Sequence, residues 1–205
     1  MISYLANPKR FDAFARVAIP VSGALAAVLL GAGLYLSLIA SPADYQQGDT
    51  IRIMYVHVPA AWLGLSLYLA MGISSAVYFI WRHNLADVAA ASIAPVGAVF
   101  AALCLVTGAI WGKPTWGTWW IWDARLTSML IQFLLFLGYM ALRGAIEDER
   151  LAARLAAILA MAGTLNVPIV KFSVEWWASL HQGASVLRAD GPSIDPSQLT
   201  PLLVM

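Results

Sequence analysis

The chain has one cysteine, Cys104, and three histidines in 205 residues. A single cysteine inside an apolar run excludes a disulfide framework, a Cys-rich metal site and a Cys-x-x-Cys-His attachment motif. Charge is scarce as well. Asp, Glu, Lys and Arg make up 11% of the chain, less than half of the roughly 25% typical of soluble domains. The formal net charge of +1 leaves no basic footprint for nucleic acid. No P-loop is present, so the chain does not itself hydrolyse ATP. The N-terminus lacks a short apolar segment followed by an A-x-A-like cleavage site, so the first apolar run is expected to remain as an uncleaved span.

What the chain has instead is apolar length. It is 61% hydrophobic with a mean hydropathy of +0.76, and its apolar runs reach the length needed to cross a bilayer as helices. Five are expected: Val17–Ala40, Val58–Trp81, Ala89–Trp111, Thr127–Leu142 (extending back toward Arg125) and Leu151–Phe172. Asn166 and Pro168 predict a kink near the end of the fifth. Residues Pro201–Met205 read as the start of a sixth span that the chain does not complete. The fold class is therefore an all-α polytopic membrane protein, with residues 1–205 as a single membrane domain and a tryptophan-rich external loop over 112–126.

Five spans put alternate connections on opposite faces. Lys9, Arg10, Arg16, Arg82, Arg143, Arg150 and Arg154 fall on one, and Arg52, Lys113, Arg125, Lys171 and Arg188 on the other. This bias places the N-terminus in the cytoplasm. Either orientation leaves His57, His181 and the segment WGTWWIWDARLTS (Trp116–Ser128) on the same face. That segment holds four of the nine tryptophans, and Trp111, Trp176, Trp177 and Trp62 gather near the same face. An interfacial aromatic belt would mark both membrane surfaces. The one-sided clustering also fits a packing platform for a large flat ligand. Both readings stand at this point.

Neutral imidazole is the commonest protein metal ligand. Two imidazoles on opposite faces of a porphyrin would complete an iron coordination sphere. Zinc usually takes three or four protein ligands, so two histidines disfavour it, although Asp44, Asp49, Asp123 or Glu175 could supplement them. Met54 could also ligate iron, or simply pack. Arg52 and Arg125 head the cations able to pair with carboxylates of a bound ligand. Asp123 is placed to accept N–H bonds ahead of the next helix, like an N-cap.

These residues carry a resemblance. WGTWWIWDARLTS is similar to the signature of the WWD superfamily of haem-handling membrane proteins. The stretches SPADYQQGD (Ser41–Asp49), RIMYVHVPAAW (Arg52–Trp62), APVGAVF (Ala94–Phe100), WGKPTWGTWWIWDARLTS (Trp111–Ser128) and VEWWASLHQGAS (Val174–Ser185) resemble, more closely, the CcmC family of bacterial cytochrome c maturation. The resemblance implies non-covalent binding of haem b at the periplasmic face of the inner membrane. It implies delivery to the haem chaperone CcmE, in company with CcmA, CcmB and CcmD. His57 and His181 match the family's axial ligand positions. Trp116, Trp119, Trp120, Trp122 and Asp123 match its WWD motif, the surface for haem and CcmE. The expected role is haem handling and transfer, not enzymatic turnover. A membrane cytochrome subunit passing electrons and a haem-conducting channel are the alternatives.

Overall fold

A computed structural model describes residues 7–183, 185–186, 188 and 190–205. Ala184, inside the Val174–Ser185 stretch singled out above, lies outside them. The described residues form helices and turns, with one isolated antiparallel bridge, Asp44–Gly48. Among them, five helical stretches are long and apolar enough to cross a membrane: Pro8–Ala40, Asp49–Trp81, Asn84–Trp116, Ala124–Ala145 and Glu149–Trp176. The architecture is that of an all-α, multi-pass membrane protein.

The chain divides into two compact units. The first comprises Met1–Pro42 and Asp195–Met205. Its long helix α1 (Pro8–Tyr35) starts where Asn7 accepts from the backbone N–H groups of Lys9 and Arg10, with Pro8 at the first helical position. A proline costs nothing there because that N–H has no intrahelical partner. Only Gly33 of α1 is buried. A helix apolar on all sides and this exposed is one made for lipid. Residues 201–205, read from sequence as the start of a span, are the end and C-cap of the short helix α7 (Pro196–Val204), which Asp195 caps at its start.

The second unit, Ala43–Ile194, holds α2 (Met54–Trp81), α3 (Asn84–Trp116), α4 (Ala124–Ala145), α5 (Glu149–Gly163) and α6 (Asn166–Trp176). Small residues line its helix contacts. Ala94, Ala98, Ala101 and Cys104 of α3 are buried, and so are Ala152, Ala153, Ala156, Ala157 and Ala160 of α5. In lipid, apolar burial gives helices little reason to associate, so close backbone approach and van der Waals packing must do it. Gly97 shows the tolerance: a Cβ there would overlap the ring of Phe136. Phe136 in turn packs edge-on against Tyr68, with ring centroids 4.8 Å apart.

The fifth span is two helices. The chain turns at Thr164–Leu165, beside the position of the expected kink, and Pro168 falls in the first turn of α6. A buried amide network sits at the break. Asn166 Nδ2 donates to the Ser128 carbonyl at 2.9 Å and to Gln132 Oε1 at 3.1 Å, joining α6 to α4. At the end of the unit formed by the α3 start and the α4 finish, Arg143 makes a two-pronged ion pair with Asp87. The acid lies in the first turn of α3 and the base in the last turn of α4, which suits both helix dipoles. The opposite end gathers segments 43–53, 117–123 and 177–183, tied by Trp111 Nε1 donating to Gln47 Oε1 at 2.7 Å and by contacts between Asp123 and His181.

Candidate functional site

The irregular segment between α3 and α4 is shorter than the sequence suggested. Gly112 and Pro114 look like helix breakers, yet α3 runs on to Trp116 and only residues 117–123 are irregular. Pro114 lacks the N–H that would reach back one turn, but a single missing bond near a helix end is tolerable. The neighbouring Trp111 carbonyl also accepts from Thr115 Oγ1 at 2.8 Å. The helix ends at Gly117, whose φ of 80° is left-handed and whose N–H donates to the Lys113 carbonyl. Glycine suits that conformation because it has no Cβ to clash. Lys113 Nζ donates to the Gly117 carbonyl at 3.0 Å and closes the cap.

Beneath this segment lies a cavity of ≈ 300 Å³ whose walls include His57, His181, Trp111, Trp116, Trp120 and Arg125. Four separate elements supply these six side chains: α2, α3, the 117–123 segment with α4, and the segment after α6. Met54 and Trp62 of α2 also reach the wall, one turn either side of His57.

The two histidines are held alike, by Nδ1. His57 sits in the first turn of α2. Its Nδ1 is 3.0 Å from the Cys104 carbonyl and 3.1 Å from Thr107 Oγ1. A carbonyl only accepts, and the Thr107 hydroxyl already donates to the Leu103 carbonyl at 2.6 Å. The proton therefore belongs on Nδ1 of His57. The Nδ1 of His181 is 3.3 Å from Asp123 Oδ2 and 3.2 Å from Ser179 Oγ. A carboxylate also only accepts, which again assigns the proton to Nδ1. In both rings Nε2 carries the free lone pair. Indole rings brace them edge-on: Trp111 against His57 at 5.7 Å between centroids, Trp116 against His181 at 4.7 Å.

Burial holds the His181 imidazole below its usual pKa, and the Arg125 charge acts the same way; the Asp123 carboxylate, by charge and hydrogen bond, pulls it partly back. The ring is therefore neutral near pH 7, the form that ligates a metal. Among the described residues no group of three His, Cys, Asp or Glu side chains converges.

Asp123 does what its position before α4 suggested. Its side chain accepts from Leu126 N–H at 2.8 Å as the N-cap. Its second oxygen accepts from the Ser179 hydroxyl and faces His181. Arg125 is anchored from behind: Nε donates to Ser173 Oγ at 3.1 Å and Nη2 to the Lys171 carbonyl at 3.3 Å, both on α6.

The expected residues thus separate. His57, His181, Trp116, Trp120 and Arg125 meet at the cavity. Trp119 and Trp122 do not line it; they are 57% and 77% exposed. Asp123 stands behind His181. Arg52 lies off the wall and pairs with Asp49 at 3.3 Å. The tryptophans thus divide: Trp111, Trp116 and Trp120 line the cavity, and Trp119 and Trp122 are exposed. Gln47, Thr107, Ser173 and Ser179 were not singled out from sequence. Each is a common polar residue in an unremarkable setting, and only its partner, far along the chain, gives it a part.

A flat ligand with a metal at its centre and carboxylates at its edge fits this donor set. Two imidazoles with Nδ1 engaged and one guanidinium line the cavity. Trp120 also lines the cavity, and its indole N–H is buried without a hydrogen-bond partner among the described residues. Such a donor costs stability while it stays unpaired.

Comparison with known proteins gives a consistent picture. The family model described as "Heme exporter protein C" (CcmC) matches residues 1–205. The chain is 55% identical to the "Heme exporter protein C" of Bradyrhizobium diazoefficiens over 98% of its own length and 76% of the relative's. It is 45% identical to the protein of that name from Escherichia coli, over 97% of this chain and 80% of the relative. It is also 45% identical to a "Putative cytochrome c biosynthesis ccmC-like mitochondrial protein" of Marchantia polymorpha, over 86% of this chain and 75% of the relative.

Proposed function

The chain belongs to the heme exporter protein C (CcmC) family, and from that premise we propose that it handles haem for cytochrome c maturation. It takes haem b non-covalently at the periplasmic face of the bacterial inner membrane, with its N-terminus in the cytoplasm. It then delivers the haem to the chaperone CcmE, working with CcmA, CcmB and CcmD. The single observation that carries this reading is the convergence of His57 and His181 on one tryptophan-lined cavity, each with Nδ1 occupied and Nε2 free.

In this reading the chain's residues divide the work. His57 and His181 hold the iron from opposite sides. Trp111, Trp116 and Trp120 pack around the macrocycle. Arg125 pairs with a propionate. Arg52 pairs with Asp49 and is not among the residues lining the cavity, so this reading gives the propionate to Arg125. Trp119 and Trp122 face outward as the surface that CcmE reads. In this reading the protein's role is haem handling and transfer.

The test is an absorption spectrum of the protein purified with its partners from haem-replete cells. The wild type should show the bands of a six-coordinate, bis-imidazole haem. His57→Ala and His181→Ala should each change those bands or lose haem altogether. Wild-type spectra and full haem retention in both variants would refute the ligand assignment.

A further inference from the structure

The two histidines are held by unlike partners. His57 Nδ1–H donates to a neutral carbonyl and a neutral hydroxyl, both on α3, and the ring itself belongs to the first turn of α2. His181 lies in irregular chain beyond α6, and its Nδ1–H faces the oxygen of a carboxylate. That carboxylate is well enclosed. The Asp123 side chain is 8% exposed and the His181 side chain 17%. Asp123 uses its two oxygens differently. Oδ1 accepts from Leu126 N–H and caps α4, while Oδ2 accepts from the Ser179 hydroxyl and faces the imidazole.

Ser179 completes the arrangement. Its hydroxyl donates to Asp123 Oδ2, so its oxygen is left to accept. It accepts from the His181 backbone N–H at 3.1 Å and lies 3.2 Å from Nδ1. One hydroxyl thus pins both the backbone and the ring of the residue two places on. It does so in a stretch where no helix ladder would hold them.

We propose that Asp123 and Ser179 are the positioning pair for His181: they set its proton on Nδ1, aim Nε2 into the cavity and make it the stronger donor of the two iron ligands. The inference rests on the haem-binding reading above and goes beyond it in assigning unequal roles to the two histidines. A carboxylate on the far nitrogen draws the proton toward itself and raises the basicity of the ligating nitrogen, as outer-shell carboxylates do for metal-bound histidines generally. The neutral carbonyl behind His57 does this less. Ferric iron, carrying one more positive charge, gains more from the stronger donor than ferrous iron. Asp123 therefore lowers the reduction potential of haem held here.

The variant that isolates this role is Asp123→Asn. Asparagine caps helices about as well as aspartate, so α4 keeps its N-terminus while the negative charge behind His181 is lost. Ser179→Ala removes the hydroxyl alone, and Ser179→Thr restores it. The complex with its partners is purified with each variant to measure helicity, ferric haem affinity and haem potential, and the tautomer of His181 is read by NMR of the haem-free chain alone with labelled histidine, where only three rings contribute.

We expect unchanged helicity and a ferric haem affinity reduced about 10–100-fold in Asp123→Asn, the usual effect of losing an outer-shell partner. A tenfold loss confined to the ferric form raises the potential by about 59 mV for one electron. Ser179→Ala should move it the same way by less, and Ser179→Thr should return it. Wild-type haem-free protein should carry the His181 proton on Nδ1, and Asp123→Asn should shift it toward Nε2.

A wild-type potential in both Asp123→Asn and Ser179→Ala overturns the proposal, as does a wild-type His181 protonated on Nε2. Failure of the haem reading itself looks different: His181→Ala then keeps the wild-type haem spectrum. In that case the proposed ligand role falls with it, whatever the tautomer.

Discussion

Replacing Arg125 with glutamine tests the site most directly, because the structure says how many of its hydrogens are already spent. A guanidinium has five N–H donors. Nε–H goes to Ser173 Oγ, and one Nη2 hydrogen goes to the Lys171 carbonyl. Three remain, two on Nη1 and one on Nη2, enough to meet both oxygens of one carboxylate side by side. A hydrogen bond to a charged group contributes about 1.5–3 kcal/mol, so loss of one such contact should weaken haem binding by about 10–150-fold. Glutamine also loses the ties to α6, so a fall in affinity alone would be ambiguous. The assay is therefore a comparison of haem with its dimethyl ester, which has the same ring and iron but no propionate charge. Wild type should prefer the free acid by about that factor, and Arg125→Gln should bind the two alike. Arg125→Lys should recover charge but not the fork, and so only part of the preference. If Arg125→Gln weakens acid and ester equally, the residue is a structural tie between α4 and α6 and the propionate assignment is wrong.

Two further outcomes follow from the same geometry. His181 has a folded-state pKa below its reference of 6.5 because burial disfavours the cation; unfolding therefore takes up a proton as pH falls below 6.5, and this group's contribution, full above 6.5, drains away toward the depressed value. Thermal melts of the haem-free protein should show Tm dropping through that acidic window in wild type and less so in His181→Gln; parallel curves would mean that His181 is not buried as described. The tryptophans should also sort by exposure: Trp116→Ala and Trp120→Ala should lose haem on purification, whereas Trp119→Ala and Trp122→Ala should keep it and slow its transfer to CcmE. Haem loss in Trp122→Ala equal to that in Trp120→Ala would contradict the division.

Much of the fold is legible because lipid imposes a simple condition: every spanning backbone N–H and C=O must find its partner within the helix. Apolar runs of sufficient length then read as helices, and the parity of the spans places both histidines beside the tryptophan segment. Asp123 is readable as an N-cap because capping involves residues three apart. The helix through Gly112 and Pro114 was not readable, since local signals say stop there and Thr115 and Gly117 supply the caps that postpone it. Arg52 looked as suitable as Arg125, because charge and approximate side are all that spacing conveys. In the fold Arg52 pairs with Asp49, three residues earlier, and is not among the residues that line the cavity.

The sequence by itself determined that this is a membrane-spanning helical protein, that its few chemically able residues share one side, and which family it resembles. Those properties depend on composition, length and local order, and local order is what a linear string displays. Only the tertiary structure decided which nitrogen of each histidine is free, which tryptophans line the cavity, and that Ser179 and Thr107 stand behind the two histidines. The contacts responsible join residues 47 to 64 positions apart, from Cys104 with His57 to Trp111 with Gln47. Such separations carry no periodic signal. They become neighbours only when small residues let four spans approach closely enough for their ends to meet.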